Sequence, residues 1–297
     1  MGAKLREVRR RIRSVQSTMK ITRAMELIAT SRIMRAQARV EASRPYAERL
    51  TAAIADVASV TSNLGNPLLE AREHPSRAAV FVVTSDRGLA GAYNANVLRR
   101  TEELLALLRK EGKEPHLFVS GRKGVSYFRF RERPVERSWT GFSETPGYDQ
   151  AKEIADAMIE RFSNGDVDEI HAVFTSFESI GRQVAVAKRF VPMAMDVVER
   201  PEDQGMVNQY IFEPEPEALL DALLPRYVET RVFNALLESA ASENAARRRA
   251  MSAATENAEE LIKVLTRVAN QARQTEITTE IMEIVGGAEA LRQASGE

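Results

Sequence analysis

Both ends of the chain carry apolar residues at alternating steps of three and four. Residues 3–44 and 226–285 contain neither Gly nor Pro, and at about 1.5 Å per residue they would form helices of roughly 60 and 90 Å. We call the apolar residues that recur at these steps the seam of each run. The seam of the first run consists of Leu5, Val8, Ile12, Val15 and Met19. The seam of the second run is Ala254, Ala258, Leu261, Leu265 and Val268. This spacing predicts a two-stranded coiled coil.

The two seams have opposite orders along the chain, as an antiparallel pair requires. Pairing Leu5 with Val268 and Met19 with Ala254 makes the residue numbers of each pair add up to 273. The same register satisfies all five pairs of seam residues. We therefore expect the N-terminal and C-terminal helices to lie side by side in opposite directions.

In this register the second helix extends past the start of the first from Ala272 onward. The extension keeps an apolar stripe, which a solitary helix in water has no reason to carry. The stripe consists of Ile277, Ile281, Ile284, Ala288 and Leu291. We expect another molecule to surround it. The alternatives are that the tip folds back on the chain or frays after Gly286 and Gly287.

Between the two ends, the spacing of the apolar residues changes. Pro45 ends or bends the first helix, and helical spacing then resumes as far as Leu64. Strands and helices alternate afterwards, with strands at 78–84, 116–120, 169–177 and 183–190 and helices at 94–110 and 148–162. The predicted fold is α+β, a long antiparallel α-helical coiled coil of the N- and C-terminal helices with a central Rossmann-like α/β domain. The predicted domains are 1–64, 65–212 and 213–297.

Composition and motifs give no sign of catalytic chemistry. The chain has no Cys, which excludes disulfides, thiolate nucleophiles and cysteine metal sites together. The three histidines, His74, His116 and His171, lie in unrelated segments without a ligand partner at helical spacing. No Ser-His-Asp set or tuned carboxylate pair can be assembled. We expect no catalytic residue, no metal and no cofactor.

The turn over residues 85–94 lies between a strand and a helix, where phosphate-binding loops often occur. Its candidate residues are Asp86, Arg87, Gly88 and Gly91. Neither G-x-G-x-x-G nor G-x-x-x-x-G-K-[ST] is present, and two glycines alone are a weak signal. Turn geometry explains them equally well.

Charge is balanced overall, with 42 basic and 42 acidic residues, but it is uneven along the chain. Residues 3–44 hold twelve basic and three acidic side chains, a local net charge of +9. A basic helix can bind an acidic partner, a membrane surface or nucleic acid. Few aromatic residues are present to stack on bases, so we do not expect nucleic acid as a partner. A solvated helix face is the alternative.

Three stretches, in order along the chain, resemble the gamma subunit of F-type ATP synthases. Residues 12–29, IRSVQSTMKITRAMELIA, are similar to its opening helix, and residues 84–94 to its central motif. Residues 250–258, 272–274 and 277–288 are similar to its closing helix. The resemblance covers the whole chain, although residues 95–205 match only loosely.

The resemblance implies a function that residue patterns alone do not show. The chain would be the central-stalk rotor, transmitting torque between the proton-driven c ring and a catalytic ring of alpha and beta subunits. The epsilon subunit would lie alongside, and one copy would be present in each complex. ATP synthesis would take place on the beta subunits, so this chain would not itself be an enzyme. It would contribute to the regulation of ATPase activity and proton flow.

Contacts with the alpha and beta ring follow from the same resemblance. Met25 would meet a moving lever of the beta subunit, although ordinary coiled-coil packing explains it equally well. The closing helix would contribute Arg273, Gln274 and Thr278, together with Ile277, Ile281, Ile284 and Leu291 of the stripe. Phe212 and Glu213 would contact the c ring, although the neighbouring prolines are also typical of a linker.

Two departures from the family pattern are Ala90, where many relatives have cysteine, and Ala269, where many have tyrosine. The absence of cysteine excludes the thiol switch of chloroplast relatives. No targeting segment precedes the first helix and no stretch has the roughly twenty apolar residues needed to span a bilayer. We expect a peripheral protein on the cytoplasmic face of a bacterial plasma membrane. The alternatives are a homodimeric coiled-coil scaffold and a nucleotide-using α/β enzyme.

Overall fold

The computed structural model describes residues 3–60, 66–69, 72–193 and 215–294. It contains two compact units. The terminal unit consists of Met1–Ile28 with Arg248–Glu297, and the central unit consists of Ala29–Arg247. The predicted domain boundaries, after residues 64 and 212, fall outside the described residues, so those limits stay predictions.

Two long helices contribute to both units. The first, α1, spans Ala3–Val60, and the last, α5, spans Pro216–Ala294. Helix α1 continues through Pro45. Of the two predicted alternatives, an end or a bend of the helix at Pro45, the end does not occur. Pro45 lies on an exposed face, so water can bind the carbonyl group that loses its helical partner. Helix α5 begins with Pro216, whose missing N–H is not needed at a first helical position.

The central unit contains a five-stranded sheet of order β3-β2-β1-β4-β5. Its elements are β1 Arg77–Val83, α2 Tyr93–Lys110, β2 Glu114–Ser120, α3 Arg122–Phe130, β3 Arg137–Trp139, α4 Tyr148–Ser163, β4 Glu169–Phe177 and β5 Gln183–Val191. Strands β1 to β4 are parallel, and β5 pairs antiparallel with β4. The predicted fold class, a helix pair with a Rossmann-like α/β domain, is confirmed.

Two elements of the sheet layer were not predicted, α3 and β3. Gly121 precedes α3 at a φ of 96°, where a Cβ would lie 2.2 Å from the Thr84 carbonyl oxygen. Only glycine fits this crossing between β1 and the start of α3. Gly124 lies inside α3. Because β3 has only three residues, it offers too little alternation to recognise.

Both faces of the sheet are buried in the central unit. On β1, Ala79, Phe81 and Val83 face a core formed with α4 and with the parts of α1 and α5 that belong to this unit. Ala78, Val80 and Val82 face the opposite core, formed with α2 and α3. The continuous apolar run of β1 follows from this, because a strand covered on both faces has no polar side.

The terminal unit has a much narrower core, formed by one seam between its parts of α1 and α5. Leu5 and Val8 pack against Leu265 and Ala269, with Ile12, Val15 and Ala272 half-buried around them. Further along the seam, the hydroxyl groups of Thr22 and Thr255 share a buried hydrogen bond of 2.7 Å. The helices are antiparallel, as predicted.

Their register differs from the predicted one. The residue numbers of Thr22 and Thr255 add up to 277, four more than in the predicted register. The predicted seam residues Leu261 and Val268 are 42% and 37% exposed, and they are therefore not core positions. Half-buried Ile262 and buried Ala269 take their places. The prediction was wrong because α5 carries two adjacent apolar seams, and sequence spacing alone favoured the one with larger side chains.

Candidate functional site

The turn after β1 is held by its own side chains. The Ser85 N–H donates to Asn94 Oδ1 at 2.9 Å, and the Ser85 hydroxyl donates to the Arg87 carbonyl oxygen at 2.6 Å. Gly91 has a φ of 53°, which favours glycine, whereas Gly88 does not have a positive φ. Leu89 adopts the left-handed conformation instead, at a φ of 60°.

Asp86 supplies the negative charge of this turn. Its Oδ2 accepts hydrogen bonds from the backbone N–H groups of Gly141 at 2.8 Å and Ser143 at 3.0 Å. Its Oδ1 accepts from the N–H of Arg122, the first residue of α3, at 3.2 Å. Helix N-termini attract anions. The carboxylate of Asp86 therefore binds the backbone N–H groups at the start of α3, a position where a phosphate-binding loop would bind the phosphate of its ligand.

The carboxyl ends of β1 and β4 are covered by α2 and α5. Tyr93, the first residue of α2, is buried there. The Thr175 N–H donates to Ser239 Oγ at 3.3 Å, and the Ser242 hydroxyl donates to the Thr175 carbonyl oxygen at 3.2 Å. Open α/β sheets bind ligands where the strand order reverses, here between β1 and β4. Side chains of the chain itself occupy that place.

Glu144, in the loop before α4, receives three arginines. Its Oε1 lies 3.1 Å from Arg247 Nη1 on α5, and its Oε2 pairs with Arg32 on α1. Arg87 Nη1, in the turn after β1, lies 3.8 Å from the same Oε2. Glu144 thereby joins α1, α5 and the turn within the central unit. Sequence reasoning missed it because Glu144 and its three partners come from four separate segments with no common spacing.

Glu243 is fully buried one helical turn before Arg247. Its Oε1 accepts a hydrogen bond from Arg247 Nη2 at 2.6 Å. Burial raises the pKa of Glu243 to about 7, and the charge of Arg247 opposes this rise. Burial also raises the pKa of Tyr93, with a further contribution from the Glu243 carboxylate. The cluster lies between α2 and α5, and within the described part of the chain the Tyr93 hydroxyl and Glu243 Oε2 are buried without a hydrogen-bond partner.

Two of the three histidines pair with carboxylates. His171 Nε2 lies 2.9 Å from Glu169 Oε2, which also receives Lys113 Nζ at 3.0 Å. The hydrogen bond from His171 and the bonds from Lys113 hold the pKa of Glu169 at about 2. His116 Nδ1 lies 2.9 Å from Glu136 Oε1. In the described part of the chain, no group of three or more such side chains is arranged to hold a metal ion.

The predicted contact residues of the terminal unit lie on its surface. Met25 is half-buried, while Arg273, Gln274 and Thr278 are exposed. The stripe residues are also exposed, with Ile277 at 49%, Ile281 at 54%, Ile284 at 72% and Leu291 at 73%. Helix α5 runs through Gly286 and Gly287 to Ala294 without fraying there. Phe212 and Glu213 lie outside the described residues.

Eight of the ten predicted seam residues are buried or half-buried. Leu5, Val8, Ala258 and Leu265 are buried, and Ile12, Val15 and Met19 are half-buried. Ala254 is half-buried beside Thr255, while Leu261 and Val268 are exposed as described above. In the described ranges, no helix has the length and apolar character needed to cross a membrane.

Fold and contacts together define a class: an α+β protein with a long antiparallel helix pair and a parallel sheet whose ligand position is filled internally. The sequence matches the ATP synthase family over residues 4–291. The ATP synthase gamma chain of Acidothermus cellulolyticus is 59% identical over 301 residues, covering 100% of each chain. That of Mycolicibacterium smegmatis is 57% identical over 305 residues, covering 98% of this chain and 99% of the relative. The chain belongs to the gamma-chain family of ATP synthases, as the resemblance predicted.

Solved structures agree with the fold. A chain of the Euglena gracilis mitochondrial ATP synthase, from an assembly of OSCP, F1 and c ring, superimposes with a TM-score of 0.71 at 16% identity, covering 100% of this chain and 97% of its own. A chain from the central stalk and c ring of the Tetrahymena thermophila mitochondrial enzyme gives 0.57 at 24% identity, covering 79% and 99%. At these identities the likeness concerns the fold alone.

Proposed function

We propose that this chain is the central-stalk rotor of an F-type ATP synthase, transmitting torque between a proton-driven c ring and a catalytic ring of alpha and beta subunits. Family membership supports this function. The observation that carries it is the exposed apolar stripe of α5, Ile277, Ile281, Ile284 and Leu291. Catalysis belongs to the beta subunits in this proposal, and one copy of the chain serves each complex.

The stripe supports a bearing, by which we mean a socket in the ring of alpha and beta subunits that surrounds the end of α5. It favours this over contact with a membrane or an apolar surface without function. Exposed apolar residues scattered singly need no explanation, whereas a continuous patch marks a binding surface. Met282 and Val285 are also exposed, at 69% and 57%, so apolar side chains lie on more than one face of the helix end. A partner that surrounds the helix buries all of them, which a flat surface does not.

Charged contacts with the ring come from both helices. The basic run of α1 and the exposed Arg273 of α5 offer positive charge to an acidic partner. Met25 meets a moving lever of the beta subunit in this proposal, and Gln274 and Thr278 provide polar contacts beside Arg273. The asymmetry of these contacts holds three equivalent nucleotide sites in different states, since a partner shifts an equilibrium only by binding the states differently.

The remaining partners are assigned by family. Phe212 and Glu213 contact the c ring, and the epsilon subunit lies alongside the chain and takes part in the regulation of ATPase activity and proton flow. The complex places the chain at the cytoplasmic face of a bacterial plasma membrane, as a peripheral subunit. It needs no cofactor of its own, because its sheet carries side chains at the position where nucleotides bind in related sheets.

The test is a truncation that removes the stripe and leaves the helix pair. A chain ending at Glu276 keeps the seam as far as its last half-buried residue. A control chain ending at Leu291 keeps the whole stripe. Both are assembled with alpha, beta and the membrane sector, and the measured quantity is ATP-driven proton pumping divided by ATP hydrolysis.

We expect the chain ending at Glu276 to lower this ratio severalfold, or to lose alpha and beta during purification, while the control behaves as the full chain does. An unchanged ratio in an intact complex of the shorter chain would contradict the bearing. Purification as a homodimer without alpha and beta would favour the scaffold interpretation instead.

A further inference from the structure

A groove of about 500 Å³ lies on the central unit, between the C-terminal half of α2, the paired strands β4 and β5, and α5. Its floor is apolar, with buried Leu104 and Leu108 from α2 and buried Phe190 from β5. At its edge Leu107 is 51% exposed. Both the volume and the mainly apolar floor are typical of a site for a small molecule.

The groove carries an excess of positive charge. Four basic and two acidic side chains line it, a net charge of +2 with its histidine neutral. Both acidic side chains are already paired, because Lys113 Nζ lies 2.9 Å from Glu111 Oε2 and 3.0 Å from Glu169 Oε2. Three basic side chains remain, and in the described part of the chain they form no ion pair. They are Lys188, Arg189 and Arg231.

Aromatic rings hold two of these cations in place. The guanidinium carbon of half-buried Arg231 lies 5.3 Å from the centroid of the Phe190 ring and 5.8 Å from that of Tyr227. Lys188 Nζ lies 5.6 Å from the centroid of the Phe174 ring. A ring face attracts the charge but supplies no oxygen to the N–H groups. A guanidinium group held in this way is ready to bind two oxygens of a phosphate or carboxylate.

The apolar floor and the cations together define the ligand. An inorganic anion would leave Leu104, Leu107 and Leu108 uncovered, whereas an acyl chain would gain by covering them. The groove also fits a small molecule better than a protein partner, because stable protein interfaces bury about 1,200 Å² or more. We propose that the groove binds an anionic phospholipid, with the phosphate on Arg231 and Lys188 and the first acyl carbons over the leucines of α2.

The test measures the binding of soluble probes to the full chain by isothermal titration calorimetry at constant ionic strength. The main probe is dihexanoyl phosphatidylglycerol below its critical micelle concentration, so that no membrane surface is present to attract the basic run of α1. Dihexanoyl phosphatidylcholine has the same acyl chains without the net negative charge. Glycerol phosphate and inorganic phosphate have no acyl chain. A peptide of alternating Glu and Leu represents an acidic protein segment.

Three variants separate the groove from the general charge of the surface. Lys188→Gln with Arg189→Gln removes two exposed charges, which should leave folding unchanged. Arg231→Lys keeps the third charge and removes the planar group that binds two oxygens. Arg109→Gln is the matched control, because Arg109 is an exposed basic residue in the last turn of α2 that does not line the groove.

We expect phosphatidylglycerol to bind the unmodified chain and the Arg109→Gln chain with the same Kd. The double Gln variant and Arg231→Lys should each weaken binding about tenfold, the effect of losing a hydrogen bond to a charged group. The other four probes should also bind at least about tenfold more weakly than phosphatidylglycerol.

The proposal is overturned if phosphatidylglycerol does not bind, or if it binds the groove variants as tightly as the unmodified chain. An equal loss in Arg109→Gln would also overturn it, because surface charge in general would then be responsible. So would binding of phosphatidylcholine, either phosphate compound or the peptide as tightly as phosphatidylglycerol, because the ligand would then not need to be an anionic lipid.

Discussion

In the central unit Phe81, Phe128 and Met158 are at most 2% exposed, whereas in the terminal unit Ile281, Met282 and Ile284 are more than half exposed. Both regions are rich in apolar residues, but only the central unit covers them with its own elements. The difference shows that apolar residues serve two purposes in this chain. In one unit they form a core, and in the other they form a narrow seam and a surface for a partner.

The two units also treat polar groups differently. In the central unit, buried Glu243 and Arg247 form a connected network with half-buried Glu144. Among the described residues of the terminal unit, Thr22 and Thr255 form a buried hydroxyl pair, and no charged side chain is buried. Removing one partner from a buried ionic network is costly, so the structure of the central unit depends on these charges.

The largest expected effect tests the core of the central unit. Phe81→Ala removes a completely buried ring between the sheet and the α4 side of the core, and we expect a loss of about 3 to 5 kcal/mol in the free energy of unfolding. Urea unfolding followed by fluorescence of Trp139, the single tryptophan, measures it. Phe130→Ala is the control: Phe130 is 86% exposed, so the change should stay within about 0.5 kcal/mol. Similar losses for both would remove the contrast between core and surface.

The next effect concerns pH and the buried carboxyl of Glu243. Its pKa is about 7 in the folded chain against 4.5 in the unfolded one. A raised folded pKa means that this contribution to stability is complete below pH 4.5 and is lost as the pH rises through 7. The loss is on the order of 3 kcal/mol. We expect Glu243→Gln to flatten the fall in unfolding free energy between pH 5 and 8.

Trp139 fluorescence in urea at a series of pH values measures this slope. Glu160→Gln, at an exposed position of α4, should keep the slope of the unmodified chain. If Glu243→Gln kept it as well, Glu243 would not be the group responsible, and the polar network would not distinguish the two units in the way described.

A smaller effect separates the two seams of α5. Leu265→Ala removes a side chain that is 7% exposed in the terminal core, and we expect a loss of about 2 kcal/mol. Leu261→Ala changes a side chain that is 42% exposed, and we expect about 0.5 kcal/mol or less. Thermal unfolding followed by circular dichroism compares them. A larger loss for Leu261→Ala than for Leu265→Ala would support the predicted register instead of the observed one.

The smallest effect on stability falls on the stripe. Ile284 is 72% exposed, so Ile284→Ala should change the unfolding free energy by no more than about 0.5 kcal/mol. The proposed bearing predicts that the same change lowers the ratio of proton pumping to ATP hydrolysis. Glu283→Ala, the exposed neighbour, is the control for that ratio. A stability loss comparable to that of Leu265→Ala would mean that the stripe belongs to a core of the chain itself.

Local spacing was sufficient for most elements of the chain. Strand β4 spans the predicted residues 169–177, and the predicted β1, α2, β2, α4 and β5 differ from the structure by no more than two residues at either end. Short elements such as β3 have too few residues to show a periodic pattern of apolar and polar positions. The turn around Asp86 was recognised, but its contacts with Gly141 and Ser143 were not, because those residues are distant in sequence.

The sequence by itself determined that two long helices exist, that they run antiparallel, and that an apolar stripe continues past their seam, because helical periodicity is a local property. Only the tertiary structure decided which of two apolar seams on α5 faces α1, and which distant arginines meet Glu144. The hydrogen bond of Thr22 with Thr255 and the ion pair of Arg247 with Glu144 are examples of the contacts that accompany those choices. Such contacts form between segments far apart in the chain, so no local pattern contains them.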